Sequence, residues 1–204
     1  MSKYGPEFWN GESGAHRRVM MKAAGYGDLD IRTKPHIGVP NSFQEGSPGT
    51  AHLRQIAEAV KQGIWAAGGI PVEFGIPATC GNIPNGVEEM KYEQVLRDIV
   101  CMSVEAVSKV HQFDGICMIA SCDNIIAGCY QAAARLDIPA MVVTGGCMSA
   151  GNYCGQQVVE ADVDVARFSG KSNEGQLQYW QGYCLFRLIS GRKMHLQELR
   201  ICWL

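Results

Sequence analysis

The stretch Gly115-Ile116-Cys117-Met118-Ile119-Ala120-Ser121-Cys122-Asp123-Asn124-Ile125 decides how the chain is read. Its first six residues form a short apolar run, the pattern of a strand buried on both faces. From Ile125 to Leu136 the apolar residues recur at helical spacing. Cys122 and Asp123 therefore stand side by side in a tight strand-to-helix turn. In an open parallel sheet that turn lies at the carboxyl end of a strand, where ligands bind. Cys122 is a candidate soft metal ligand and Asp123 a hard one. The same two residues also read as a small buried cysteine beside a helix-capping aspartate.

Upstream, strands are expected at residues 36–40 and 70–74; downstream, one at 140–144. Pro71 fits a strand only at its start or on a sheet edge. Between the first two strands, Leu53, Ile56, Ala57, Val60 and Ile64 share a helix face, with Ser47 as N-cap, Pro48 in the first turn and Gly68-Gly69 as the stop. A further helix is expected over residues 88–111, with Val95, Ile99, Met102, Ala106 and Val110 as its buried stripe. Four strands alternating with three helices argue an α/β fold, a parallel sheet flanked by helices. Right-handed crossovers place every post-strand loop on one edge. The loops at 41–49, 75–86, 121–124 and 145–151 should then share a rim that carries Cys80, Cys122, Asp123 and Cys147.

Three segments are expected: an N-terminal extension (1–35), the α/β domain (36–170) and a divergent tail (171–204), irregular or helical. The extension holds a short helix near His16 to Ala24, and its His16-Arg17-Arg18 cluster reads as a solvated face or an anion contact. In the tail, Cys184 and Cys202 read as packing residues or replacement ligands.

The composition is that of a globular protein: 204 residues, 47% hydrophobic and 19% charged. A net charge of −2 gives no electrostatic reason to expect nucleic acid. No apolar run reaches membrane-spanning length, and residues 1–10 lack the apolar core of a signal peptide. The nine cysteines follow no disulfide-scaffold spacing, so they read as reduced thiols of a cytoplasmic protein.

Several segments together resemble a known family. They are His52-Leu53 with its helix to Gly68-Gly69, Pro71-Val72-Glu73-Phe74, His111-Gln112-Phe113-Asp114-Gly115, Cys122-Asp123-Asn124-Ile125, and Ala132-Ala133-Ala134-Arg135-Leu136-Asp137-Ile138-Pro139-Ala140. Gly145-Gly146-Cys147-Met148 and Gly151 extend the match. Their order is similar to the N-terminal domain of the dihydroxy-acid dehydratase and phosphogluconate dehydratase family, which includes sugar-acid dehydratases. The resemblance implies a hydro-lyase that converts 2,3-dihydroxy acids or sugar acids to 2-keto acids, as in branched-chain amino acid biosynthesis or sugar acid metabolism. It implies an iron–sulfur cluster as Lewis acid on the departing hydroxyl, a magnesium ion on the substrate's oxygens, and a homodimer. Cys122 matches the central cluster cysteine, with Cys80 and Cys147 as further candidates. Asp123 matches a magnesium aspartate, and Asn124 stands where the family usually has a lysine. Gly49 stands in the place of a cluster cysteine and Gly81 in that of another magnesium aspartate, so the metal motifs are degenerate. Two other readings stay open: a non-catalytic small-molecule-binding or regulatory module, and a metal-free enzyme using Cys122, whose thiol pKa a helix N-terminus can lower.

Overall fold

The computed structural model describes residues 7–146, 150–153, 156–159, 161–162, 165, 168–169 and 201–203. The chain divides into two compact units, Met1–Gly146 with Leu199–Leu204, and Cys147–Glu198. In the second unit, β5 (Gly151–Tyr153) and β6 (Gln156–Val158) pair antiparallel. The expectations for Cys147 and for tail residues 171–200 lie outside the described residues.

The first unit holds the expected sheet. Strands β1 (His36–Asn41), β2 (Ile70–Gly75), β3 (Gly115–Ala120) and β4 (Ala140–Thr144) run parallel in the order β2-β1-β3-β4. A short strand β7 (Ile201–Trp203) pairs antiparallel with β4. Pro71 lies in β2, on the sheet edge, where a missing N–H costs no ladder bond. All six residues of β3 are buried, as a central strand covered on both faces requires.

Alternation along β3 sorts the core into two layers. Ile116, Met118 and Ala120 pack with α5 (Tyr92–His111) and α6 (Asp123–Leu136), against Val100, Val104, Ile125 and Cys129. Cys117 and Ile119 face α4 (Leu53–Ala66), against Leu53, Ile56 and Ala57. Gly128 of α6 sets the α5–α6 spacing, because an added Cβ would lie 2.6 Å from the Arg97 carbonyl oxygen. Small residues here let two helix backbones approach closely.

Two helix expectations are corrected. In α5 the stripe Val95, Ile99, Met102, Ala106 and Val110 is exposed, with Val95 at 50%, Met102 at 56% and Val110 at 75%. The buried positions are Glu93, Val100, Cys101, Val104 and Ser108. Both faces of this helix carry apolar residues, so periodicity alone could not choose between them; the fit of Val100 and Val104 against α6 does. The start of α4 is the second. Ser47 opens a turn instead of capping the helix: its carbonyl accepts the N–H groups of Thr50 and Ala51, and α4 begins only at Leu53.

Ahead of the sheet lie α1 (Glu7–Asn10), α2 (Gly14–Ala23) and α3 (Asp28–Thr33). The arginines of the His16-Arg17-Arg18 cluster tie these helices together. Arg17 donates to the Phe8 carbonyl at 2.7 Å and covers the Phe8 ring, while Arg18 donates to the Trp9 carbonyl and faces Asp28. Trp9 in turn stacks on buried His36 of β1 at 4.3 Å.

Candidate functional site

The four post-strand loops meet on one rim. Gln44, after β1, donates to the Ala78 carbonyl, after β2, at 3.0 Å. His52 donates from Nε2 to the Gly145 carbonyl, after β4, at 2.8 Å. A Cβ at Gly49 would lie 3.2 Å from Ser121 Oγ, after β3. The parallel topology dictates this convergence, and the loop hydrogen bonds hold it.

Cys122 stands at its centre, as the N-terminal flanking residue of α6, with φ 74° and ψ 146°. That backbone region is essentially reserved for glycine, and strain there costs about 1–3 kcal/mol. The turn aims the thiol at the loop after β2. Burial pushes the Cys122 thiol up to about 11, with the N–H groups of Gly81 and Asp123 acting against that rise and the adjacent Cys80 and Asp123 adding to it. A thiol at a helix N-terminus could have been lowered instead; here desolvation outweighs the helix end. That desolvation weighs against a metal-free thiolate at Cys122.

Cys80 and Cys122 are both partly exposed free thiols, whereas Cys101, Cys117 and Cys129 are buried core residues. Burial raises the pKa of all three of the latter, to about 11 for Cys117 and about 12 for Cys129. Only the first pair, then, is placed for chemistry among these five. Asp123 accepts the Asn124 N–H at 2.8 Å and faces the Cys122 sulfur at 3.6 Å.

Two residues of α5 that the sequence reading missed complete the rim. Glu93 of α5, only 4% exposed, accepts from the Thr79 hydroxyl and from Asn124 Nδ2 at 3.4 Å. Arg97, one turn further along α5, donates from Nη2 to Asn124 Oδ1 at 2.7 Å. A signal for them existed: residues 93, 97, 100, 104 and 108 follow one helical face, so the polar pair extends the buried stripe. Beside Thr79, Cys80 and Glu93 lies a cavity of about 520 Å³, walled mainly by Ile83, Pro84, Tyr92, Val95, Leu96 and Ile99.

The sequence pattern of the Dihydroxy-acid/6-phosphogluconate dehydratase N-terminal family matches residues 34–183. The chain belongs to that family. The dihydroxy-acid dehydratase of Methanobrevibacter smithii is 44% identical over 170 residues, 83% of this chain and 30% of that protein. That of Halothermothrix orenii is 44% identical over 169 residues, 80% of this chain and 30% of that protein. That of Pyrococcus abyssi is 48% identical over 144 residues, 71% of this chain and 26% of that protein. This dehydratase-family chain therefore spans about 30% of the length of the curated relatives it matches.

The two inorganic groups that the resemblance implies, an iron–sulfur cluster and a magnesium ion, fit this rim differently. Two soft donors, Cys80 and Cys122, are close enough to interact, and backbone N–H groups of Gly81 and Asp123 face the Cys122 sulfur, which supplies two of the several thiolates that a cluster needs. Magnesium prefers about six oxygen ligands in octahedral array. Here Gly81 supplies no side-chain donor, Asn124 Oδ1 is taken by a guanidinium, and Asn124 turns its N–H donors toward Glu93. That set does not fit a magnesium ion. Among the described residues, no three His, Cys, Asp or Glu side chains converge as metal ligands.

Proposed function

We propose that this chain is a partial or diverged dehydratase domain, a hydro-lyase component that binds an iron–sulfur cluster through Cys80 and Cys122 and acts on a 2,3-dihydroxy acid. The observation that supports it most is the convergence of those two thiols at the carboxyl edge of a parallel sheet. When bound, the cluster would supply a Lewis acid that stabilises the charge on a departing hydroxide.

The chain's own residues have definable tasks. The positive φ at Cys122 points its sulfur out of the strand-to-helix turn, and the Gly81 and Asp123 N–H groups steady the thiolate. Because that thiol is held protonated at neutral pH, cluster binding must release its proton, which makes affinity rise with pH. Asp123, at the first turn of α6, holds a negative oxygen beside the sulfur. The cavity next to Cys80 is predominantly apolar in its walls, which favours a short aliphatic dihydroxy acid over a polyhydroxylated sugar acid. That agrees with a role in branched-chain amino acid biosynthesis.

No helix among the described residues is long and apolar enough to cross a membrane. Free thiols at the five described cysteines support a cytoplasmic location, and family resemblance supports a homodimer. Anaerobically reconstituted chain is assayed for 2-keto acid release from a branched-chain dihydroxy acid and from sugar acids. Keto acid from the branched substrate supports the reading. Ligand-dependent thermal stabilisation without any keto acid would instead identify a binding module.

A further inference from the structure

We propose that Arg97, acting through Asn124, takes the place of the divalent cation in this chain: the Arg97–Asn124–Glu93–Thr79 chain of hydrogen bonds neutralises a buried carboxylate at the rim, and the site is independent of magnesium. This rests on the family reading for the positions compared, Gly81 and Asn124, and on the geometry for the rest.

Glu93 reaches the space that a side chain at Gly81 would enter. An added Cβ at Gly81 would meet Glu93 Cγ at 3.8 Å and Cδ at 3.9 Å. A carboxylate thus comes back beside Cys80, but from α5 and not from the loop after β2. A buried carboxylate needs hydrogen-bond donors and a compensating charge. The donors are the Thr79 hydroxyl and the Asn124 amide. The charge is Arg97, which binds the opposite end of the same amide at 2.7 Å. An amide with its oxygen toward a cation and its N–H groups toward an anion is aligned at both ends, and each bond polarises the other. A lysine at 124 would put a second cation beside Arg97. Asparagine instead bridges the pair, so Asn124 and Glu93 form one solution to the charge problem. A divalent cation on Glu93 would meet the Asn124 N–H donors and would stand near the guanidinium, both unfavourable. The close α5–α6 contact at Gly128 makes the geometry possible, since it places Arg97 and Glu93 within reach of the first turn of α6.

The test uses the full chain with and without its cluster, and iron content is measured in the same samples, so failure of the dehydratase reading is visible separately. Mn²⁺ is titrated and followed by electron paramagnetic resonance, and thermal melts are compared in Mg²⁺ and in EDTA. The expected result is an undiminished free Mn²⁺ signal and superimposable melts. Arg97→Met should lower the melting temperature, and Glu93→Gln should remove most of that loss in the double variant, because the uncompensated charge is gone. If Arg97→Met alone fails to fold, a folded double variant supports the proposal equally. Stoichiometric Mn²⁺ binding that Glu93→Gln abolishes would overturn it. So would strict additivity of the two substitutions, or an Mg²⁺-dependent rise in melting temperature.

Discussion

Replacing Cys122 by glycine should make the protein more stable than replacing it by alanine, against the usual order of these residues. Both substitutions remove the same sulfur and the same contacts with Gly81 and Asp123. They differ in the backbone. At φ 74° and ψ 146° an alanine keeps the steric conflict between Cβ and the flanking peptide, while glycine does not. Relief of that conflict is worth about 1–3 kcal/mol. Glycine's greater freedom in the unfolded chain returns about 0.4–1 kcal/mol. The balance favours glycine by roughly 0–2.6 kcal/mol, centred near 1.3. For a domain of this size, ~1 kcal/mol moves the melting temperature by about 2–4 °C. Melting of the two apoproteins side by side, with urea denaturation to check that the slope is unchanged, measures the difference directly. An alanine variant as stable as the glycine variant, or more so, would refute the strained turn and with it the reason the thiol points at the loop after β2.

Gly128→Ala should destabilise the fold by about 1–3 kcal/mol, because its Cβ would press on the Arg97 carbonyl; chemical denaturation measures the loss. Cys122 should react with iodoacetamide far more slowly at pH 8 than a free thiol of pKa about 8.5, by a factor on the order of 100, and its rate should climb toward pH 11; mass spectrometry of the alkylated apoprotein reads this, and rapid labelling at pH 7 would contradict it. His36 gives a pH dependence. Burial lowers its pKa in the folded state, opposed by the Ile31 carbonyl and the nearby Asp114 carboxylate. The unfolded chain therefore binds a proton first. This contribution to stability is complete above the unfolded value of about 6.5 and is lost as pH falls from there toward the lowered folded value. His36→Asn should flatten that segment of the stability–pH curve.

The parallel sheet was legible because each strand is a short apolar run followed by a helical period, and β3 could be read from six residues. The rim followed from topology, since every post-strand loop of a right-handed parallel sheet lands on the same edge. The face that α5 buries was not legible. Val95, Ile99 and Met102 have the same spacing as Val100 and Val104, and only the small residues of α6 select between them. The turn at Ser47 was misread because a serine before proline marks a turn as readily as a helix start. Nothing in the sequence marks Cys122 as a positive-φ residue, since glycine is the usual occupant of that conformation. The bonds from Asn124 to Arg97 and Glu93 bridge 27 and 31 residues, beyond any local pattern.

Iron and sulfide content after anaerobic reconstitution, read with the visible absorption spectrum, tests the cluster assignment most directly in the unmodified chain, Cys80→Ser and Cys122→Ser. Bound iron with thiolate-to-iron charge-transfer absorption is expected in the unmodified chain, and its loss is expected in both variants while the fold is kept. No iron in the unmodified chain, or undiminished iron in Cys122→Ser, would contradict it.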